Sequence, residues 1–411
     1  MNLNNIKSTV PIKASAPNPH QPLLGLSRAE LEAFAQQHNF PVYRGRQLYK
    51  WIYHERQANF RAMTDLPVAM RDALVEHASV SPLKIVKNQA GYDGSLKLLL
   101  EATDGARIES VLIPEGERMT ACLSSQVGCA VGCKFCATGL MGFTRNLTAG
   151  EIIAQLFAIE QAAGRPMTNI VMMGMGEPLL NRPALFKAIP ILTDPEGVGI
   201  SRRHFTVSTA GWLPGIVSLT EAVRKGRHKE KSFAELGAKR QLSATGYTIS
   251  SQTSAVDGDE EAHPKDAAVF PRVKLALSLN STTDEERREL MPLAGRYPLR
   301  ETLAAAGDYA RASGERVSVN YLLLAGKNDS DDDARRLRGL VKQAGGKATA
   351  EIFKTNIMEY NDVGAEFLRA SPERREAFAR ILSDSGLQVT VRTSRGRDIA
   401  AACGQLASRE N

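Results

Sequence analysis

From residue 95 onward the chain alternates two kinds of apolar pattern. The runs "SLKLLLEA", "ARIESVLI" and "MTACLSS", between 95 and 125, have strand length and are broken by turn residues, Asp104-Gly105 among them. Beyond them "NIVMMGMG", "HFTVSTAG", "VKLALSL", "RVSVNYLLL", "ATAEIF" and "QVTVRTS" read as buried strands. Helix-length stretches separate most of these strands: "AGEIIAQLFAIEQA", "RPALFKAIPIL", and residues 298–313, 331–345 and 372–385. Strands alternating with helices predict an α/β fold with a parallel sheet, and about six repeats predict an open or partial barrel. Loops after the strands of such barrels build the site. The cysteine-rich "VGCAVGCKFCAT", "GMGEP" and "STAG" all follow strands.

Upstream, residues 27–78 show helical spacing. "SRAE" has the capping-box form, with Ser27 as N-cap and Glu30 three residues on. A second helix is predicted over 44–57, where Leu48, Trp51 and Ile52 share a face, and a third opens at "TDLP" with Pro67 in its first turn. The expected organisation is therefore a mobile tail at 1–24, an N-terminal helical domain at 25–90, whose RNA-binding role rests on the basic stretch and the resemblance given below, and the partial barrel at 91–405. Residues 224–271 carry basic, then Ser/Thr-rich, then acidic blocks without periodicity, which predicts a mobile insertion.

Composition narrows the class. The 411 residues are 43% hydrophobic, and no run approaches the roughly 18 apolar residues of a membrane span. The N-terminus lacks the apolar stretch of a secretory signal, and five cysteines in such a chain point to a reducing cytoplasm. Lys plus Arg outnumber Asp plus Glu by 52 to 45, a modest excess compatible with a nucleic-acid partner. The stretch 43–56 mixes Tyr43, Arg44, Arg46, Tyr49, Lys50, Tyr53 and Arg56. It reads either as a solvated basic face over a Leu/Trp stripe or as an RNA-docking surface.

Cys129, Cys133 and Cys136 stand in the spacing C-x3-C-x2-C, with no fourth thiol or histidine close by. A closed zinc site wants four protein ligands, for which only the more distant Cys122 is at hand. Three thiolates suit instead an iron-sulfur cluster with one iron left open to an external ligand.

"CAVGCKFC" resembles the signature of the radical S-adenosylmethionine (SAM) enzymes, and with it the fold becomes a partial (β/α)6 radical SAM barrel with an N-terminal helical domain. The resemblance implies that Cys129, Cys133 and Cys136 hold a [4Fe-4S] cluster whose fourth iron takes SAM. "MGMGEP" is similar to the segment that meets the SAM ammonium, with Gly176 and Glu177 at the matching positions. Together, "RIESVLIPEGERMTACLSSQVGC", "GFTRNLTAGEI", "MMGMGEPLLN", "TVSTAG" and "TSRGRDIAAACGQL" resemble the dual-specificity RNA adenine C2-methyltransferases. That family implies a catalytic Cys403 that carries the methyl group, Cys122 as the second thiol and Glu109 as proton acceptor, with two SAM molecules per turnover. It also implies cofactor contacts at Ser208, Ser278, Leu279, Asn280 and Asn361. The chain departs from the family at Asn280, where a histidine is usual, and after Asn361, where proline gives way to Asp362. The implied partners are 23S rRNA, tRNA and an electron donor such as flavodoxin, for a monomer without membrane contact. The alternatives are the sister activity at adenine C8 and a non-catalytic RNA-binding metalloprotein.

Overall fold

The structure, a computed structural model, describes residues 20–226 and 270–408. The expected tail and insertion fall mostly on 1–19 and 227–269, outside the described residues.

The N-terminal unit begins earlier than its pattern suggests. Strand β1 (Gln21–Pro22) pairs in parallel with β2 (Ala78–Ser79), and Leu23 and Leu24 are buried, so residues 21–24 belong to the packed unit rather than to a tail. Helix α1 (Arg28–Gln37) carries the full Ser27/Glu30 capping box. Helix α2 (Tyr43–Tyr49) runs into a π turn, Lys50–His54, and the buried Leu48 and Ile52 face the core. Helix α3 (Val68–His77) has Pro67 at its N-cap, one position before the first turn.

Strand β3 (Leu83–Ala90) was not expected. It pairs antiparallel with β4 (Leu96–Ala102), so the sheet begins inside the stretch assigned to the helical domain. Its residues alternate between half-buried and exposed because it is an edge strand, and its Lys, Asn and Gln content hides it from an apolar search. Strands β5 (Arg107–Glu115) and β6 (Arg118–Cys122) continue the antiparallel ladder.

After β6 the chain inserts a small unit made of β7 (Gln126–Gly128), α4 (Ala137–Leu140) and β8 (Phe143–Asn146). Six βα repeats follow from β6 through α5 (Ala149–Ala163), β9 (Asn169–Met172), α6 (Arg182–Thr193), β10 (Phe205–Thr209) and α7 (213–226). They continue with β11 (Lys274–Ser278), α8 (Asp284–Leu290), α9 (Leu299–Ser313), β12 (Val317–Leu323) and α10 (Asp331–Gly345). The series ends with α11 (Thr349–Ile352), β13 (Phe353–Glu359), α12 (Pro372–Ser383) and a further edge strand, β14 (Val389–Arg392). The strand expected at "ATAEIF" is displaced. Thr349 donates to the Gly346 carbonyl at 2.6 Å and winds 349–352 into α11, and the strand starts at Phe353.

The ten-stranded sheet runs β14-β13-β12-β11-β10-β9-β6-β5-β4-β3, with every pair from β6 to β14 parallel. This is the α/β partial barrel. Register assigns its two faces. Ile170, Phe205, Val207, Leu275, Leu277, Val317, Val319, Phe353 and Ile357 share one face and are buried, as strands covered by helices require. The opposite, concave face carries Cys122, Ser208, Ser278, Asn320 and Asn356. No helix of the described residues is long and apolar enough to cross a membrane.

Candidate active site

The cysteine loop leaves β7 through Gly128, at φ +74°, where an added Cβ would lie 2.0 Å from the Gly142 carbonyl oxygen. Only glycine fits there. The loop is pinned by Cys129 N–H to Gly142 O (2.7 Å), Lys134 N–H to Leu290 O (3.0 Å) and Leu293 N–H to Val131 O (3.3 Å). The three cysteines pack against a small apolar cluster that includes Val131, Phe135, Leu290, Tyr360 and Phe367. Burial pushes the Cys129 thiol up to about 12, and it raises those of Cys133 and Cys136 as well. Glu177 and neighbouring cysteines add to the rise at Cys129 and Cys133. Among the described residues no His, Cys, Asp and Glu group converges on a single metal ion. A cluster does not ask for that, since each cysteine would hold a different iron.

Glu177 ends the loop after β9. Its preceding Gly176 has φ +97°, and an added Cβ would meet Gln126 Cβ at 2.6 Å. This close approach lets Glu177 N–H donate to Gln126 Oε1 at 2.9 Å. The carboxylate is almost fully buried and accepts from Leu179 N–H (3.0 Å) and Ala210 N–H (2.6 Å), with no cationic side chain paired to it among the described residues. Burial therefore pushes it up to about 7 despite those hydrogen bonds. Buried thiols beside a buried carboxylate make a site short of positive charge, which suits an iron-sulfur cluster and the SAM ammonium.

The C-terminal loop crosses the mouth of the barrel and is stitched to both sides. Gly404 O accepts from Ala137 N–H (2.7 Å), Leu406 O accepts from Thr138 Oγ1 (2.5 Å), and Cys403 O accepts from Asn361 Nδ2 (3.1 Å). Ala407 N–H donates to Glu109 Oε2 at 2.8 Å. Cys403 is solvent-accessible, yet the surrounding protein raises its thiol to about 11, with Cys136 adding to the shift. Cys122 ends β6 on the concave face and is buried, which pushes it to about 12 with Cys403 contributing. Cys403 thus stands within electrostatic range of both Cys136 and Cys122.

Glu109 shares that face through the Val111↔Cys122 register. It is buried, and its partner is Lys97 on β4 at 3.2 Å; Arg107, two residues earlier on the same strand, pairs instead with Glu101. Ser124 braces this corner: its hydroxyl donates to Glu109 O (2.6 Å) and accepts from Met175 N–H (2.8 Å). Lys97 and Ser124 escaped the sequence reading, although a lysine inside the apolar run "SLKLLLEA" is the kind of interruption that marks a paired charge.

Ser208 and Ser278 lie half-buried on the concave face of β10 and β11, and Leu279 is buried. Among the described residues nothing donates a hydrogen bond to the buried Oδ1 of Asn361. Asn280 differs. Its backbone is left-handed at φ +55°, its Oδ1 accepts from Leu322 N–H (3.0 Å), and its amide nitrogen faces Met291 Sδ, so the side chain braces its own loop. Within the suggested RNA-docking face at 43–56, Arg46 and Arg56 are charge-paired, while Arg44 has only neutral partners and Lys50 a distant carboxylate. Arg44 donates to Gln47 and the Asp65 carbonyl, Arg46 pairs with Glu32, Lys50 lies 3.9 Å from Glu55, and Arg56 pairs with Glu160 at 2.8 Å.

A parallel half-barrel with three loop cysteines under a buried Gly-Glu turn is the architecture of a radical SAM enzyme. The Radical SAM superfamily model matches residues 123–337, and the ribosomal RNA large subunit methyltransferase N-terminal domain model matches 21–80. A radical SAM methyltransferase from Sphaerobacter thermophilus superposes with a TM-score of 0.77 at 38% identity, covering 95% of this chain and 100% of that one. A probable dual-specificity RNA methyltransferase RlmN from Moorella thermoacetica is 40% identical over 94% of this chain and 98% of its own length. A dual-specificity RNA methyltransferase RlmN from an Anaeromyxobacter species is 38% identical over 95% and 92%. The chain belongs to the RlmN family of radical SAM methyltransferases.

Proposed function

We propose that this enzyme methylates C2 of an adenine in 23S rRNA and in tRNA, with Cys403, Cys122 and Glu109 as its reacting groups. The coarse activity is that of a SAM-dependent radical RNA methyltransferase with a [4Fe-4S] cluster and SAM as cofactors. The observation that supports the finer reading is the position of the Cys403 loop, tied to the cysteine loop through Gly404 and to Glu109 through Ala407.

Cys129, Cys133 and Cys136 would hold the cluster, and Gly176, Glu177, Ser208, Ser278, Leu279 and Asn361 would line the SAM site. Asn280 would act there by shaping the loop. Once bound, the cluster supplies the electron that cleaves SAM and yields a 5′-deoxyadenosyl radical. C2 of adenine lies between two ring nitrogens and is too electron-poor to attack a methyl sulfonium directly. The Cys403 thiolate therefore first takes a methyl group from one SAM, which leaves as S-adenosylhomocysteine. The 5′-deoxyadenosyl radical from a second SAM then takes a hydrogen atom from that S-methyl, leaving a carbon radical on the Cys403 side chain that adds to C2. The adduct's unpaired electron would return to the oxidised cluster, and Glu109 takes the C2 proton. The Cys122 thiolate then attacks the Cys403 sulfur and closes a transient disulfide, while the electron pair of the broken sulfur–carbon bond stays on the transferred carbon, which takes a proton back from Glu109 and becomes the methyl group. A flavodoxin-type donor, a monomeric state and a cytoplasmic location complete the proposal.

The test is to load the protein with iron and sulfide under anaerobic conditions, supply SAM and reductant, and analyse nucleosides from rRNA and tRNA substrates by mass spectrometry. 2-Methyladenosine together with deoxyadenosine is expected. 8-Methyladenosine, or deoxyadenosine without RNA product, would overturn the C2 assignment.

A further inference from the structure

The strand starts of the barrel gather cations on its concave face. Arg118 opens β6, two residues below Thr120 and four below Cys122 on the same side of the strand. Lys274 opens β11 on the face of Ser278, and Lys354 on β13, level through Ser318 with Ala276, lies two residues further along the same face. Arg316 stands two residues before Ser318. Arg392, opposite Met358 on edge strand β14, carries the charge up the open side of the barrel. Four strand residues span ~13 Å, which separates Arg118 from Cys122 and Lys274 from Ser278.

These charges are poorly compensated. Among the described residues the side chains of Lys274, Lys354 and Arg392 make no ion pair or hydrogen bond, Arg316 donates to the neutral Gln388, and Arg118 has Glu115 at 3.9 Å on an exposed surface. Lys354 is half-buried. Its burial, and then the charges of Lys274, Arg392, Arg316 and Arg118, pull its ammonium below the ordinary lysine value. Unpaired like charges on facing strands cost stability, and a polyanion would relieve that cost. In the basic stretch at 43–56, by contrast, Arg46 and Arg56 already pair with the carboxylates of Glu32 and Glu160.

We infer that Arg118, Lys274, Arg316, Lys354 and Arg392 form a binding site for backbone phosphates of the RNA substrate, running from the strand starts up the open β14 edge of the barrel. The inference rests on the RNA methyltransferase reading. An adenine extruded toward Cys403 from a loop would leave its flanking phosphates to be neutralised, and these side chains line the wall below the reacting groups.

The experiment measures binding of the cluster-loaded enzyme to an adenine-containing RNA hairpin by fluorescence anisotropy, across a salt series. Two double variants are compared with the wild type: Lys274→Gln with Lys354→Gln, and the exposed pair Arg118→Gln with Arg392→Gln. Each is expected to weaken binding roughly tenfold and to flatten the salt slope by about 0.7 to 0.9 for every phosphate that is no longer neutralised. The unfolding midpoint of the first variant should stay level or rise, because repulsion is relieved while affinity falls. Wild-type slopes in both variants would overturn the site while leaving the RNA reading intact. Absence of salt-dependent RNA binding by the wild type would instead overturn the RNA reading, and the site with it.

Discussion

Lys97 Nζ stands 3.2 Å from Glu109 Oε1, and both side chains are nearly closed to solvent. The two sit on neighbouring strands, β4 and β5, so the sheet register holds the carboxylate in place. Replacing only the lysine strands a buried charge. Lys97→Met is expected to cost about 3 kcal/mol in urea denaturation, and so is an equally one-sided Glu109→Gln, whereas the double variant should lose far less than the sum. Additive losses would show that the pair is not coupled.

Gly176 offers a backbone test. Its φ of +97° and the 2.6 Å approach of an added Cβ to Gln126 forbid a side chain without movement of β7 or of the Glu177 turn. Gly176→Ala should cost about 2 kcal/mol in thermal or urea unfolding and weaken SAM binding in the same protein, because the turn carries Glu177. Wild-type SAM affinity would show that the turn does not place the carboxylate for the cofactor.

Glu177 makes the cluster-free protein sensitive to pH. Its folded value near 7 lies above the ordinary 4.5, so between these values the folded state binds more protons than the unfolded one. Stability should then fall as pH rises from about 4.5 to 7, by up to about 3 kcal/mol, and level off beyond. Glu177→Gln should remove that slope in urea titrations at pH 5 and pH 8. An identical slope in the variant would assign the pH dependence to other groups.

The barrel strands were legible because parallel strands buried under helices must be apolar along their length, as in "VKLALSL" and "RVSVNYLLL". What escaped lies where pairing outranks composition. β3 is polar because it is an edge, and 349–352 winds into a helical turn that the Thr349 hydroxyl closes onto Gly346. The candidate site was readable as residues but not as contacts. Cys129, Cys133 and Cys136 announce themselves by spacing and Glu177 by the resemblance of its segment to a known family, whereas Lys97 pairs with Glu109 across strands that only register aligns. Asn280 shows the same limit from the other side: its amide turns back onto Leu322 and Met291 through a positive φ that composition does not reveal.

The sharpest test of the proposed chemistry concerns Cys122. In that scheme the first methyl transfer to Cys403 and the addition to adenine do not use the Cys122 thiol, but release of the adduct does. Cys122→Ala should therefore accumulate protein joined covalently to RNA through a methylene on Cys403. The adduct would appear as a band that survives denaturation and collapses on nuclease treatment. Cys403→Ala should show none, because the carbon carrier is gone. Cys122 is buried at the end of β6, so a purely packing role would predict a loss of only about 1 kcal/mol with continued turnover. Ordinary methylated product without a trapped band from Cys122→Ala would remove the thiol pair from the mechanism and leave the radical SAM assignment standing on the cysteine loop and Glu177.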